Sequence, residues 1–109
     1  MTELDLPFAR IIRKFDWNPK KRDSNLRDHK IDFEDVKGIF DGYYIIRRSD
    51  RHGEIRYEAF GYVDNREVAA AFTIRGEVCW IISARRASRK ERRELYHRLA
   101  GRPTSEGQD

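Results

Sequence analysis

Residues 55–83 read IRYEAFGYVDNREVAAAFTIRGEVCWIIS. Runs rich in β-branched and aromatic residues alternate here with two short turn signals, Asp64-Asn65 and Arg75-Gly76. This pattern predicts strands over Ile55–Val63, Glu67–Thr73 and Val78–Ser83, joined by tight hairpin turns. Connections of two or three residues leave room only for antiparallel neighbours. Upstream, Tyr43-Tyr44-Ile45-Ile46 reads as a further strand, and Ser49-Asp50-Arg51-His52-Gly53 is a loop by composition. The centre of the chain is thus a four-stranded antiparallel sheet.

Helices flank it on both sides. Asn18-Pro19 is a helix start, because Asn18 can cap and proline at the first helical position loses no needed N–H. That helix is expected to reach about His29. Asp32, with Asp35 three residues on, offers a second cap. The following helix would place Phe33, Val36, Ile39 and Phe40 on one face and close at Asp41-Gly42. Ser88 and Glu91 make a capping box for a last helix carrying Leu95, Tyr96 and Leu99 as an apolar stripe, ended by Gly101 and Pro103. The fold class is therefore α+β: two N-terminal helices, a four-stranded antiparallel sheet and a C-terminal helix. Leu6, Phe8, Ile11, Ile12 and Phe15 form an earlier apolar group with a helix-like spacing. We read residues 1–14 as an N-terminal extension, 15–100 as a single domain and 101–109 as a polar, flexible tail.

At 109 residues the chain supports one modest core. Its 13 aromatic residues run from Phe8 to Tyr96 and exclude a disordered chain. Apolar runs are too short to cross a bilayer, and the acidic opening segment does not look like a secretory signal. Cys79 is the single cysteine, which excludes an internal disulfide and a cysteine-based zinc site. It fits a cytoplasmic location, and its strand setting suggests a small buried hydrophobe. The glycines form no phosphate loop, and the three histidines lack metal-ligand spacing with one another.

Charge is the informative bulk property. From Arg85 to Arg102 there are 8 basic and 2 acidic residues, whereas residues 1–84 balance 15 against 15. The overall charge of +4 is thus a local excess that follows directly on the strand Cys79-Trp80-Ile81-Ile82-Ser83-Ala84. The bases are mostly arginine, 17 against 6 lysines, and the planar guanidinium grips phosphate or carboxylate oxygens in pairs. A partly open sheet beside such a helix suits a polyanion, RNA in particular.

Several segments resemble, in order, the pattern of BrnT-type toxins. They are Phe15-Asp16-Trp17-Asn18-Pro19-Lys20, Asn25-Leu26-Arg27-Asp28-His29, Phe33-Glu34, Phe40-Asp41, Gly53-Glu54-Ile55-Arg56-Tyr57, Gly61, Thr73-Ile74-Arg75-Gly76, Ile81-Ile82-Ser83-Ala84-Arg85-Arg86-Ala87, Glu91-Arg92 and Tyr96. The resemblance implies a small RelE-like ribonuclease of a type II toxin–antitoxin system. Such a protein cuts RNA without a metal or other cofactor, arrests growth, and is neutralised by a ribbon-helix-helix antitoxin. Toxin and antitoxin together repress their operon, so DNA is met only through that complex, with a toxin dimer within a heterotetramer as one possible assembly. Two positions depart from the pattern. Trp80 stands where such proteins usually carry arginine, and Ile55 replaces the second of a glutamate pair whose first member is Glu54.

Metal-free RNA cleavage needs a group to take the 2′-OH proton, cations to stabilise the pentacoordinate phosphate, and a proton for the leaving 5′-oxygen. His29 matches the histidine of the resemblance and is the proton-transfer candidate; its bland alternative is a helix-end histidine favoured by the dipole. Arg56, Arg75 and Arg85 sit at strand ends and are expected to converge on one phosphate. The competing expectation pairs each with a carboxylate, from Glu54, Glu58, Glu67 or Glu77. Glu54 is expected to orient Arg56 rather than act as base. Arg86, Arg89, Lys90 and Arg93 are candidate RNA contacts, and Trp80 can stack a base. His52 and His97 read as solvated or structural, and Tyr96 as core. Two other functions share these features: a catalytically degenerate toxin fold that binds RNA or its partner without turnover, and a protein-interaction module whose arginines meet an acidic helix.

Overall fold

The computed structural model describes residues 14–100. The expected extension over residues 1–14, apart from Lys14, and the expected tail over 101–109 lie outside the described residues. In chain order the elements are β1 (Lys14–Trp17), α1 (Pro19–His29), α2 (Phe33–Val36) running on into a 3-10 turn (Lys37–Asp41), β2 (Ile45–Arg48), β3 (Tyr57–Val63), β4 (Arg66–Arg75), β5 (Val78–Arg86) and α3 (Arg89–Ala100).

The sheet has five strands in the order β1-β5-β4-β3-β2. β2 to β5 pair antiparallel as expected, but β1 adds to the far side of β5 in parallel, Phe15 opposite Cys79 and Trp17 opposite Ile81. The sheet is therefore mixed, and the four-stranded antiparallel expectation is corrected. Phe15 belongs to this strand and not to a helix face. Over Lys14–Trp17 partly buried Phe15 and Trp17 alternate with exposed Lys14 and Asp16, a period of two confined to four residues. Its partner is distant in sequence, so no local signal announces the pairing.

The hairpins form where turn chemistry placed them. Asp64 and Asn65 both take positive φ, 50° and 65°, the geometry that matches strand twist. Gly76 takes φ 63° in the next turn. β5 carries an irregularity opposite Ala71/Phe72, where Phe72 faces Ile81 and Ala71 faces Ser83, leaving Ile82 as the extra residue.

The second helix is shorter than expected: one α turn followed by a 3-10 turn. The spacing Phe33, Val36, Ile39 explains this, because a strict repeat of three eclipses side chains in a 3-10 helix. All three are buried. The 3-10 turn lies so close to β3 that a Cβ at Gly61 would meet Ile39 Cγ2 at 2.9 Å.

These helices cover one sheet face and make the main core, with Ile31, Phe33, Val36, Ile39, Phe72, Cys79 and Ile81 at its centre. Burial pushes the Cys79 thiol up to about 12, as befits an inert apolar residue. On the opposite face Leu95 of α3 packs with Ile45, Phe60 and Ala69, a smaller cluster at one end of the sheet.

Asn25 locks the two layers together. β1 runs out opposite Ile81, and further along β5 the Ala84 N–H donates to Asn25 Oδ1 at 3.0 Å. The Asn25 amide donates in turn to the Ile31 carbonyl at 2.9 Å, all of it buried. Asn25→Leu keeps the volume but strands a buried donor and a buried acceptor. We expect it to lower unfolding free energy by about 2–4 kcal/mol, measured by urea denaturation; a change below about 0.5 kcal/mol would show the clamp to be dispensable.

Candidate functional site

Alternation along β3 and β4 divides the charged residues between faces. Tyr57 and Ile74 point into the main core, so Arg56 and Arg75 point to the other face. So do Trp80 and Arg85, since their neighbours Cys79, Ile81 and Ala84 are core residues. The apolar contacts of α3 lie at the Phe60–Ala69 end. Arg56, Thr73, Arg75 and Trp80 occupy the other end, which no described helix covers.

Glu54 reaches this end by a tight turn. Arg51 and Glu54 exchange backbone hydrogen bonds of 3.0 and 2.8 Å, and the residues between them, His52 and Gly53, have φ of 52° and 75°. His52 is thus an exposed turn residue, as expected. The turn is tied to the sheet by Ser49 N–H on the Arg56 carbonyl at 2.8 Å, and by Asp50, which accepts from Arg48 at 2.9 and 3.0 Å. The Glu54 carboxylate then accepts from Arg56 Nε at 2.9 Å and lies 3.6 Å from an Arg75 nitrogen. Arg56, then Arg75, holds that carboxyl below its ordinary range, so Glu54 is a weak base. Its expected orienting role fits this geometry. Behind it the Thr73 hydroxyl donates to the Ile55 carbonyl at 2.8 Å, and the Arg75 guanidinium lies over the Trp80 ring, 4.5 Å from its centre.

Arg85 does not join them. It makes a two-pronged contact with Glu91, 2.8 and 3.0 Å, and lies 3.5 Å from Glu58. Arg47 completes this second cluster at 3.0 Å from Glu58 and 3.5 Å from Glu91. Arg85 faces Ala69 whereas Arg75 lies six residues along β4, roughly 20 Å of strand. The expectation that three arginines meet at one anion is corrected to two, Arg56 and Arg75, on the same sheet face as Arg85 but at its other end. The competing expectation of a carboxylate partner holds for all three.

His29 is exposed at the end of α1, in the helical layer, and its side chain makes no hydrogen bond or ion pair among the described residues. It is not brought together with Arg56 and Arg75. Arg86 lies against Glu67, through its carbonyl at 3.3 Å. Arg89, Lys90 and Arg93 line the exposed side of α3. Tyr96, expected in the core, is 64% exposed, because Leu95 alone takes the inward position. Among the described residues no three His, Cys, Asp or Glu side chains gather as a metal site, and no helix is long and apolar enough to cross a membrane.

Sequence reasoning missed the Arg47–Glu58–Arg85–Glu91 network. The capping box is present, with Glu91 accepting from Ser88 N–H at 2.8 Å and Ser88 Oγ accepting from Glu91 N–H at 3.1 Å. Nothing local says that the same carboxylate also anchors α3 to β5. Arg85, first, and the Ser88 N–H hold the Glu91 carboxyl down at about 2, against an ordinary 4.5. A depressed carboxyl stabilises the fold above its ordinary pKa, and that contribution is lost as pH falls toward the folded value. Between pH 4.5 and pH 2.5 the wild type should therefore lose about 1–2 kcal/mol more than Glu91→Gln, a figure reduced for the partial exposure of Arg85. Parallel pH profiles in urea unfolding would contradict this.

The family described as the ribonuclease toxin BrnT of type II toxin–antitoxin systems matches residues 17–91. No curated protein sequence matches the chain. The matched span runs from the end of β1 to the first turn of α3 and includes Glu54, Arg56, Arg75 and Arg85. The chain belongs to the BrnT family of type II ribonuclease toxins.

Proposed function

We propose that this chain is an endoribonuclease that cuts single-stranded RNA without a metal, with Arg56 and Arg75 holding the scissile phosphate. The observation that carries this, beside the family, is two guanidiniums from different strands brought to one carboxylate on an uncovered part of the sheet. A phosphodiester offers the same anionic oxygens as that carboxylate and can take its place between the two forks. In the reaction the 2′-oxygen loses its proton and attacks phosphorus, and the bond to the 5′-oxygen breaks as that oxygen gains a proton. The products are a 2′,3′-cyclic phosphate and a 5′-hydroxyl. Arg56 and Arg75 neutralise the charge that builds on the non-bridging oxygens. Glu54 keeps them converged in the free protein. His29, the proton-transfer candidate of the resemblance, lies in the helical layer away from this pair, so solvent water takes and supplies these protons.

Arg86, Arg89, Lys90 and Arg93 would guide the strand beyond the scissile position, with affinity that falls steeply with salt. The antitoxin would be a ribbon-helix-helix protein that covers the basic face with acidic or apolar groups. The assembly would bind operator DNA through the antitoxin, with two toxin chains in a heterotetramer. The RelE-like growth-arresting role and a cytoplasmic setting belong to the same reading.

A second reading has a specific observation behind it: Trp80 stands where the family pattern carries arginine, leaving two cations at the phosphate instead of three. It describes a degenerate toxin fold that binds RNA or its antitoxin with no turnover.

The test is cleavage of RNA by the free protein in EDTA. Arg56→Ala and Arg75→Ala should each lower kcat about 10²–10³-fold, whereas His29→Ala, remote from the pair, should change it less than about 3-fold. Arg85→Ala should act more on stability than on kcat. Binding without cleavage of any RNA tried would favour the degenerate reading and retire the enzyme.

A further inference from the structure

We propose that Trp80 is a positioning residue, whose indole face supports the Arg75 guanidinium and keeps it turned toward the phosphate site it shares with Arg56. This rests on reading the Arg56–Arg75 pair as a nucleic-acid phosphate site.

Arg75 most needs such support. It is the last residue of β4, directly before the Gly76 turn, and its side chain is 53% exposed. An arginine so placed has many rotamers, and immobilising them is entropically unfavourable. Its one carboxylate neighbour among the described ion pairs is Glu54 at 3.6 Å, beyond good hydrogen-bond distance, and Arg56 already holds Glu54 at 2.9 Å. Glu54 alone therefore holds Arg75 loosely. The close partner is the Trp80 ring at 4.5 Å, and an indole is the best aromatic face for a cation.

Trp80 is well built for that task. Its backbone pairs with Thr73 on one side and Asp16 on the other, so it sits on a strand flanked on both edges. Thr73, beneath the same face, is buried and fixed by its bond to the Ile55 carbonyl. The other close cation–aromatic pair, Arg47 over Phe60 at 4.8 Å, differs because Arg47 also has Glu58 and Glu91. Trp17, with Arg22 and Lys37 each at 6.0 Å, is a looser arrangement on the edge strand. A guanidinium over the Trp80 ring also means that a base stacking on that side would have to displace Arg75. The geometry thus favours support of an arginine over direct stacking.

The two roles separate in a double-mutant cycle on the full-length chain. The probe is a fluorescently labelled all-2′-deoxy single-stranded oligonucleotide, which lacks the attacking hydroxyl, so its binding is read without turnover. Trp80→Leu should weaken binding about 5-fold in the wild-type background and less than about 2-fold in the Arg75→Ala background. Trp80→Phe, which keeps a smaller aromatic face, should fall between and guards against misfolding in the leucine variant. Independently, ring-current upfield shifts of the Arg75 side-chain protons in NMR spectra should be present in the wild type, reduced in Trp80→Phe and absent in Trp80→Leu. Equal losses in both backgrounds would assign Trp80 to the nucleic acid itself and overturn the positioning role, as would no loss in either or normal Arg75 shifts in the wild type. No binding by the wild type would overturn the phosphate site along with it, whereas wild-type binding with an additive cycle would sink the Trp80 role alone.

Discussion

Two guanidinium groups held side by side repel each other, by roughly 4 kcal/mol at 4 Å in the environment of a protein surface. Glu54 removes that obstacle by standing between Arg56 and Arg75. The arrangement depends on a four-residue turn with positive φ at His52 and Gly53, which brings Glu54 back over the start of β3. The site is thus assembled with an anion already in it. In the proposed function such a site is preorganised for another anion, at the cost of exchanging one carboxylate for one phosphate, and its arginines need not be gathered when RNA arrives.

The sheet explains why this happens at one end of one face. The helical layer of α1, α2 and the 3-10 turn takes the whole apolar side, with Asn25 stitching α1 to β5. α3 takes only part of the other side, because its single buried residue, Leu95, reaches no further than Ile45, Phe60 and Ala69. Its position is set by Glu91, which caps the helix and holds Arg85 at once. Arg85 is thereby committed to α3, at the other end of the face from Arg56 and Arg75. The same face therefore carries two charge clusters with different work: one fastens a helix, and the other is left at an uncovered edge.

Much of this was legible in the chain. Hairpin turns, caps and the capping box are local chemistry, and Asp64-Asn65, Asn18, Asp32 and Ser88 stand where such chemistry put them. The contact between Glu54 and Arg56 was also readable, since the two are close in sequence. What was not readable is non-local. β1 pairs with a strand far along the chain, and its alternation is only four residues long. Arg85 had several carboxylates in reach, and only the folded sheet shows that Glu58 and Glu91 are the ones it meets. Tyr96 shared a stripe with Leu95 and Leu99, yet adjacent helical positions are about 100° apart, so the helix could not bury both it and Leu95. Asn25 looked like a motif residue beside His29, and its buried double hydrogen bond makes it a structural clamp.

In the proposed function a nucleic-acid phosphate replaces Glu54 between Arg56 and Arg75. That exchange is tested most directly by NMR, following the guanidinium Nε–H signals and the Glu54 carboxyl carbon while a single-stranded 2′-deoxy oligonucleotide is added. The Arg56 and Arg75 signals should move first and together, the Glu54 carboxyl signal should shift as its partners leave, and Arg85 should stay with Glu91. Changes confined to Arg85 and the exposed side of α3, with Glu54 undisturbed, would contradict it.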